Sequence, residues 1–358
     1  MPRVPHAEGE GLKWPHALGF RVNGEEGIGR RIDELRGRPL EGLLEEAWTV
    51  RIARWGDRIS MSTPSVHPYR TPDHRSTPGA WAQFSVTGRE CSLGCAHCGG
   101  HVLGMMERAE SPEHLLEVCR RRARHGGLEG ILLSGGSMPD GTVPLGPYLE
   151  ALHELKHMGL EVLVHTGLVD DDLARGLARA GIDLAMTDII GSQDVAARIC
   201  HLDRPPEAWG SSLRALSRAG VPVAPHIVAG LDWGGMGHEW RALEMSLAAD
   251  PVMLVIIVLT PMEGTEMAEA SPPRPQEVAR LGAVARLAAP NVSIALGCVK
   301  PSGPARGAIE RGMVDAGVNA VAYPLPATVE HARGRGLKVE FDDRCCALLG
   351  TPPLTARP

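Results

Sequence analysis

The sequence predicts an α/β protein whose centre is a TIM-type (βα)8 barrel. Eight short runs rich in Val, Ile and Leu alternate along the chain with longer stretches of helical periodicity. The longest apolar run, "VMLVIIVLT" at 252–260, has the composition of a strand that is buried on both faces. A loop with three cysteines directly follows the first of these runs, at the end of a strand where barrels of this class carry their functional residues.

The strand candidates are spaced so that one helix fits between most neighbours. The first of these helices has clear boundary signals, because Ser111 is an N-cap residue and Pro112 suits the first helical position. The alternative to a complete barrel is a partial, six-unit barrel whose last two units pack differently. The strand candidates are 82–87, 130–134, 161–165, 183–188, 222–228, 252–259, 292–297 and 319–324. The helix candidates are 111–126, 144–159, 171–181, 207–220, 239–250 and 274–289.

Segments outside the barrel are expected at both ends. Residues 1–80 predict an N-terminal helical extension, interrupted at Pro39 and followed by a long loop rich in Pro, Ser and Thr. We expect residues 81–325 to form the barrel. Residues 326–358 predict a C-terminal extension, in which "GLKVEFDD" favours an edge strand.

Composition limits the class of protein. The chain has 358 residues and a net charge of −6, so it lacks the overall excess of positive charge that is typical of nucleic-acid-binding proteins. The longest apolar run is too short to span a membrane, and the first residues lack the apolar core of a signal peptide. We therefore expect a soluble, cytoplasmic protein that binds neither nucleic acid nor membrane. In that compartment eight cysteines favour metal binding or catalysis over disulfides.

The stretch "TGRECSLGCAHCGGHVLG" at 87–104 places Cys91, Cys95 and Cys98 in a Cys-x3-Cys-x2-Cys pattern. Thiolates are ligands of zinc and of iron–sulfur clusters. A structural zinc site needs four ligands, usually as two pairs, so His97 or His101 would have to supply the fourth. Three cysteines instead leave the fourth iron of a 4Fe–4S cluster open to a small molecule.

This spacing, directly after the first strand, resembles the radical S-adenosylmethionine superfamily. The resemblance implies that Cys91, Cys95 and Cys98 hold a 4Fe–4S cluster whose open iron binds the amino and carboxylate groups of S-adenosylmethionine. It also implies reductive cleavage to methionine and a 5′-deoxyadenosyl radical, which abstracts a hydrogen atom from the substrate. The residue before the third cysteine is usually aromatic in this family, whereas this chain has His97.

The resemblance further implies contacts with S-adenosylmethionine at later strand ends. "LLSGGSMPDG" at 132–141 resembles the Gly-Gly-Glu-like turn that binds the methionine amino group, with Ser137 in place of the acidic residue. "AMTDIIGS" at 185–192 falls where the family contacts the ribose, and "HIVAGLDWG" at 226–234 where small residues pack on the adenine. The residues expected to bind this cofactor are Ser134, Gly135, Gly136, Ser137, Thr187, Asp188 and Gly230.

Five cysteines remain. Cys119 lies among apolar residues of a helix and is expected in the core. Cys298 ends the seventh strand candidate, and "DDRCCALL" places Cys345 and Cys346 beyond the barrel. We predict that these last three are catalytic residues that hold an auxiliary 4Fe–4S cluster, for which Cys345 and Cys346 must sit on a turn. The leading candidate for a fourth ligand is Cys200, and the alternative for the adjacent pair is two unrelated thiols.

The wider layout resembles the biotin synthase and lipoyl synthase branch of the family. The combination of "CSLGCAHCGGHVLG", "LGCVKPSG" and the late "CC" is most similar to a subunit of the two-component lipoyl synthases. This implies a sulfurtransferase that inserts sulfur into an unactivated C–H bond of a protein-bound octanoyl chain, with sulfur drawn from the auxiliary cluster. His165, Thr166 and His226 would line the octanoyl pocket or, alternatively, belong to the core.

The resemblance implies three partners: an octanoylated lipoyl-carrier protein or domain, a paired homologous radical enzyme, and an electron donor such as ferredoxin or flavodoxin. Two other functions stay open. One is a hydrogen-abstracting mutase or cofactor maturase without sulfur insertion. The other is a non-catalytic iron–sulfur or zinc protein.

Overall fold

The structure is a computed structural model, and it describes residues 24–349. This part of the chain contains eleven strands and eleven α-helices, which alternate from α3 to α6 and from β7 to β11. The strands are β1 (Arg58–Ser62), β2 (Trp81–Ser85), β3 (Glu107–Arg108), β4 (Gly130–Ser134), β5 (Glu161–His165), β6 (Leu184–Asp188), β7 (Val223–Ala229), β8 (Met253–Val258), β9 (Ser293–Leu296), β10 (Ala320–Ala322) and β11 (Lys338–Asp342). The helices are α1 (Gly24–Arg36), α2 (Leu40–Trp55), α3 (Pro112–His125), α4 (Leu149–His157), α5 (Asp171–Ala180), α6 (Gln193–Ile199), α7 (Glu207–Arg218), α8 (His238–Ala248), α9 (Pro275–Ala288), α10 (Pro304–Asp315) and α11 (Pro326–Gly334).

All the strands form one sheet in the order β11-β1-β10-β9-β8-β7-β6-β5-β4-β2-β3, and every ladder in it is parallel. Within residues 24–349 no ladder joins the outer strands β11 and β3. The α/β class and the alternative of a partial barrel are therefore confirmed, whereas the closed (βα)8 barrel is not formed. The last two predicted strands, β9 and β10, continue the same sheet instead of packing differently.

The eight predicted strands are all present, with ends shifted by one or two residues. Sequence reasoning missed β1, which pairs with both β10 and β11. Its five residues carry a charge and two serines and run into the irregular loop, so they lack the apolar run that marked the other strands. The predicted edge strand in the C-terminal extension is confirmed as β11.

The N-terminal helices form a layer against the barrel helices. The break predicted at Pro39 is confirmed, because α1 ends at Arg36 and α2 begins at Leu40. Helix α2 packs on α9, and α1 packs on α8 and α9. The boundaries at residues 80 and 325 stay predictions, and residues 1–23 and 350–358 of the two predicted extensions lie outside the described part.

The barrel interior is filled by the end of the described chain. After β11, residues 346–349 pack on apolar side chains from the inner faces of β5 to β10. The Leu349 carbonyl accepts a hydrogen bond from the Ser293 hydroxyl at the start of β9 (3.4 Å), and the Arg344 carbonyl accepts one from Ser62 (2.8 Å). This path carries Cys345 and Cys346 into the interior and thereby positions them for the site described next.

Candidate functional site

The three-cysteine loop follows β2, at the edge of the sheet where the strands end. Gly99 and Gly100 have φ angles of 51° and 78°, a conformation that glycine adopts without strain. At Gly136, on the loop after β4, a Cβ would lie 2.0 Å from the Glu90 carbonyl oxygen and 2.7 Å from the Cys91 Cα. Only glycine therefore allows the turn after β4 to lie this close to the cysteine loop.

Three other segments hold the cysteine loop by backbone hydrogen bonds. The amide of Ser92 donates to the carbonyl of Ser137 after β4 (2.8 Å), and the amide of Ala96 donates to Ile199 at the end of α6 (2.7 Å). The carbonyl of Ala96 accepts from Met267 in the loop after β8 (3.2 Å). Because these segments come from three distant parts of the sequence, the completed sheet fixes the position of the thiols.

Within the loop, the thiols of Cys95 and Cys98 and an imidazole nitrogen of His97 lie within 4.8 Å of one another. Donation of a hydrogen bond to Cys95, together with burial, raises the pKa of the Cys98 thiol to about 12, and His97 opposes this rise. The Cys98 thiol is thus protonated in the protein alone, and a metal centre would displace its proton. Cys91 is not part of this close group, but two thiols and an imidazole nitrogen this close together, on one loop with a third thiol, suit a metal centre such as an iron–sulfur cluster.

Two buried polar atoms beside the loop have no hydrogen-bond partner among the described residues: Nδ1 of His97 and Oδ1 of Asp188, the last residue of β6. The charge on Asp188 contributes to the pKa of His97, so the two side chains lie in the same region. Buried polar groups are rarely left unpaired in proteins. A bound polar molecule between the cysteine loop and β6 would satisfy both atoms, which fits S-adenosylmethionine.

The residues predicted to bind S-adenosylmethionine all follow or end strands β4, β6 and β7. The Ser134 hydroxyl donates to the His165 carbonyl (2.9 Å), and the Gly136 amide donates to the Thr87 hydroxyl (2.7 Å). Thr187 is buried and its hydroxyl is 3.4 Å from the Gly167 carbonyl. The cofactor contacts predicted for these residues, and for Gly135, Ser137 and Asp188, stay predictions.

Gly230 has a local structural reason to be glycine. Its φ angle is 78°, and a Cβ would lie 2.5 Å from the Cδ of Pro273. Its amide donates to the buried carboxylate of Glu239 (2.7 Å). The predicted role in packing an adenine ring stays a prediction, because these contacts alone explain the residue.

A layer of polar side chains lies inside the barrel at the ends of β5, β6 and β7. The rings of His165 and His226 are 5.3 Å apart, and His165 Nε2 is 3.7 Å from Asp188 Oδ1. The Nδ1 atom of His226 is 3.0 Å from the Ala224 carbonyl oxygen. Burial and the neighbouring His165 lower the pKa of His226 to about 4, so its imidazole is neutral at physiological pH.

The buried His226 predicts a loss of stability in mild acid. The unfolded chain protonates this imidazole near its ordinary pKa, whereas the folded chain does so only near pH 4. Lowering the pH from 7 to 5 therefore reduces its contribution to the free energy of unfolding by about 2 kcal/mol. Urea unfolding measures this free energy at pH 7 and pH 5 for the wild type and for His226→Gln. Between these two pH values the free energy of unfolding should fall by about 2 kcal/mol less in His226→Gln than in the wild type. An equal fall in the two proteins would contradict the prediction.

A second group of thiols lies at the ends of β9 and β11. Cys298 follows β9, Cys345 follows β11, and Cys346 begins a short 3-10 helix, Cys346–Leu348, which is the turn the sequence required. Desolvation and the charge on Cys345 raise the pKa of Cys298 to about 11, although the residue as a whole is exposed. The Cys346 thiol interacts with Cys345 and with the charge on Cys298. The three thiols thus lie in one region, but within residues 24–349 only Cys95, His97 and Cys98 form a group whose ligand atoms all lie within 4.8 Å of one another.

Sequence reasoning missed the charged side chains next to this second group. Lys300, two residues after Cys298, is buried, donates to the Ala322 carbonyl, and lies 3.1 Å from the buried carboxylate of Glu310 on α10. Arg306 binds the same carboxylate at 2.9 Å. Two cations therefore share one carboxylate, which leaves a net positive charge beside the thiols. The only signal in the sequence was a lysine close to a strand-end cysteine.

Tyr323, at the end of β10, joins this group to the long loop before β2. Its backbone has a φ angle of 44°, unusual for a bulky residue, and its hydroxyl donates to the Pro64 carbonyl (2.6 Å). Within the loop His74 lies 3.0 Å from Asp343. The predicted irregular loop thus lies against the ends of β10 and β11, beside the second group of thiols.

The structure places the last two cysteines away from the second group. Cys119 is buried in α3, as predicted. The carbonyl of Cys200 accepts a hydrogen bond from the thiol of Cys95 (3.5 Å), and the two thiols also interact. Cys200 therefore adjoins the three-cysteine loop, and the structure does not place it as a fourth ligand beside Cys298.

Comparisons with known proteins agree with this arrangement. Residues 85–241, which include the three-cysteine loop, match the radical SAM superfamily. A biotin synthase of Sorangium cellulosum (strain So ce56) is 27% identical over 223 residues, 60% of this chain and 62% of that protein. The chain thus spans less than two thirds of that relative's length.

Two solved structures share the fold at low sequence identity. Methylornithine synthase has a TM-score of 0.56 at 18% identity, over 90% of this chain and 95% of its own. The FeFe-hydrogenase maturase HydG from Carboxydothermus hydrogenoformans has a TM-score of 0.58 at 15% identity, over 89% of this chain and 76% of its own. No helix within residues 24–349 is long and apolar enough to cross a membrane. Residues 85–241, which carry the three-cysteine loop and several strands of the open barrel, thus have the sequence pattern of the radical SAM superfamily.

Proposed function

We propose that this protein is a radical SAM sulfurtransferase that inserts sulfur into an unactivated C–H bond of a protein-bound octanoyl chain, as lipoyl synthesis requires. The observation that carries the proposal is the second group of thiols, Cys298, Cys345 and Cys346, which lie in one region after strands β9 and β11. The similarity to a biotin synthase supports a function within the biotin synthase and lipoyl synthase branch of the superfamily.

The first group would hold the 4Fe–4S cluster through Cys91, Cys95 and Cys98. With S-adenosylmethionine bound, that cluster would supply the electron whose transfer breaks the cofactor into methionine and the 5′-deoxyadenosyl radical that hydrogen abstraction requires. The protein orients the cofactor and excludes water. In this chain the glycine turn after β4 brings its backbone against Cys91, and Asp188 presents an unpaired carboxylate oxygen at the end of β6.

The second group would hold the auxiliary 4Fe–4S cluster that serves as sulfur source. Its thiols come from two segments 47 residues apart in the chain, counting from Cys298 to Cys345, and they lie near the buried Lys300, whose carboxylate partner Glu310 is shared with the partly exposed Arg306. Burying a lysine that shares its carboxylate with a second cation is costly unless further negative charge arrives. Thiolates bound to a metal centre supply that charge, so the surroundings suit a loaded site better than three neutral thiols.

The octanoyl chain would enter from the edge of the sheet where the strands end, and the loop at 63–80 would meet the octanoylated lipoyl-carrier domain. An electron donor such as ferredoxin or flavodoxin would reduce the first cluster, and a paired homologous enzyme would share the two insertions. The polar layer of His165, Asp188 and His226 shows that the interior is not wholly apolar. Any apolar chain must therefore lie to one side of this layer.

The decisive experiment is anaerobic incubation of the reconstituted protein with an octanoylated lipoyl-domain peptide, S-adenosylmethionine and a reductant. Mass spectrometry should show peptide that has gained one or two sulfur atoms, together with 5′-deoxyadenosine. The reconstituted protein should contain about eight irons per chain, the number for two 4Fe–4S clusters.

The matched variant replaces Cys298, Cys345 and Cys346 by Ala. It should retain about four irons and still form 5′-deoxyadenosine, but add no sulfur. An unchanged iron content in this variant would eliminate the auxiliary cluster. If the wild type forms 5′-deoxyadenosine and never adds sulfur, the hydrogen-abstracting mutase or maturase becomes the better reading.

A further inference from the structure

Two histidines lie one helical turn apart on the solvent-facing side of α4. The helix buries Ala151, Leu152 and Leu155 on its inner face. His153 and His157 lie on the other face, and both are exposed. Residues four apart are neighbours on a helix surface, so the two imidazoles can meet without any other segment of the chain.

The two rings do meet, through one nitrogen each. The Nε2 atoms of His153 and His157 are 2.9 Å apart, and the ring planes are inclined at 86°. Without a metal, one Nε2 must donate its proton to the other, which requires the two neutral imidazoles to be opposite tautomers. When both rings carry their proton on Nδ1, both Nε2 atoms are free acceptors at this short separation, which is the state that metal binding needs.

This separation suits two ligands of one transition-metal ion. Metal–nitrogen bonds of about 2.0–2.1 Å, set at about 90–109° to each other, place the two nitrogens about 2.9–3.4 Å apart. The lower end of that range, at which the pair lies, belongs to the right angle of tetragonal and octahedral sites. Nitrogen and oxygen ligands in a tetragonal geometry are typical of Ni²⁺ and Cu²⁺.

Carboxylate oxygens lie in the cleft beside the pair. A cavity of about 450 Å³ between α3 and α4 is lined by both histidines together with Glu113 and Glu150. Glu150 precedes His153 by three residues, so it lies on the same stripe of α4. Neither carboxylate forms an ion pair within residues 24–349, which leaves its negative charge uncompensated. A third acidic residue of the cleft, Glu154, instead accepts a hydrogen bond from Arg120 (3.1 Å).

From this geometry we propose that His153 and His157 form a binding site for a divalent transition-metal ion of the Ni²⁺ and Cu²⁺ type in the outer layer of helices. The two imidazoles bind the ion through Nε2, and water or the carboxylates of Glu113 and Glu150 complete its coordination. Glu113 belongs to α3, so its carboxylate joins that helix to α4 through the ion. The site uses none of the cysteines, and the inference is therefore independent of the proposed function.

The test is calorimetric titration of the reconstituted protein with Ni²⁺, under anaerobic conditions and without an affinity tag. His153→Gln and His157→Gln each leave one imidazole on α4, and both positions are exposed, so we expect both variants to fold. His125→Gln is the matched control, because His125 is also exposed near a helix end but has no histidine one turn away.

We expect the wild type and His125→Gln to bind one Ni²⁺ ion at this site with the same affinity. Each variant on α4 should bind it about 100-fold more weakly, because the second imidazole acts at a high effective concentration. A wild type that binds no Ni²⁺ would overturn the inference, as would unchanged binding in the two variants. Loss of binding in only one of them would also exclude the paired site, since a single histidine would then hold the ion.

Discussion

Cys98→Ala is expected to abolish the reductive cleavage of S-adenosylmethionine. A cluster with an open iron needs all three thiols of the loop, and no other cysteine among the described residues replaces Cys98. Formation of 5′-deoxyadenosine should fall below detection, a loss of more than about 1,000-fold, equivalent to about 4 kcal/mol in activation free energy. The measurement is 5′-deoxyadenosine by liquid chromatography after anaerobic incubation with S-adenosylmethionine and dithionite.

The control for this variant is Cys119→Ala, which removes a fully buried thiol from α3, away from both groups. It should retain the wild-type iron content and cleavage activity. Circular dichroism should show that Cys98→Ala keeps the secondary structure, since the loop lies outside the strands. Appreciable cleavage by a folded Cys98→Ala protein would contradict the assignment of Cys98 as a cluster ligand.

Glu310→Ala is expected to cost about 3–5 kcal/mol in the free energy of unfolding, because it leaves the buried cation of Lys300 without its partner. The Glu310 carboxylate has no exposed surface and accepts hydrogen bonds from Lys300, Arg306 (2.9 Å), Thr328 (2.5 Å) and the Leu325 amide (2.8 Å). Despite burial, its cationic partners hold the pKa of Glu310 below its ordinary value. Urea unfolding of the protein without metal gives the measurement.

Two comparisons make this result specific. Glu340→Ala removes an exposed ion pair with Arg58 and should cost only about 0–1 kcal/mol. Glu310→Gln retains the shape and some acceptors, so its cost should fall between those of the other two variants. A cost below about 1 kcal/mol for Glu310→Ala would show that Lys300 loses its proton or that Arg306 finds other partners, and would remove the charge argument for the second group.

Local patterns account for most of the fold prediction. Each βα unit buries its strand on both faces and covers it with the next helix, so the runs of β-branched residues and the helical periodicity are visible within a few residues. Strand β1 escaped this reasoning because its place in the sheet depends on β10 and β11, which lie about 260 and 280 residues later. Whether the barrel closes also depends on pairing between strands far apart in the chain. Local sequence patterns do not predict such pairing.

Local spacing predicted the three-thiol loop, because Cys91, Cys95 and Cys98 lie within eight residues of one another. The residues expected to contact S-adenosylmethionine came instead from the family resemblance. The position of Cys200 beside Cys95 did not follow from spacing, because it depends on which segments pack around the loop. The ion pair of Lys300 and Glu310 was missed for the same reason, because amino-acid composition does not show which charged residues pair in the interior.

By itself, the sequence determined the class of fold, the order of the strands and the three-thiol loop after the first barrel strand, because short-range periodicity and ligand spacing are properties of neighbouring residues. Only the tertiary structure decided that the barrel stays open and that Lys300, Glu310 and Arg306 form a charged group near Cys298. These outcomes depend on contacts between residues far apart in the chain, and such contacts exist only once the sheet is assembled and residues 346–349 pack into its interior.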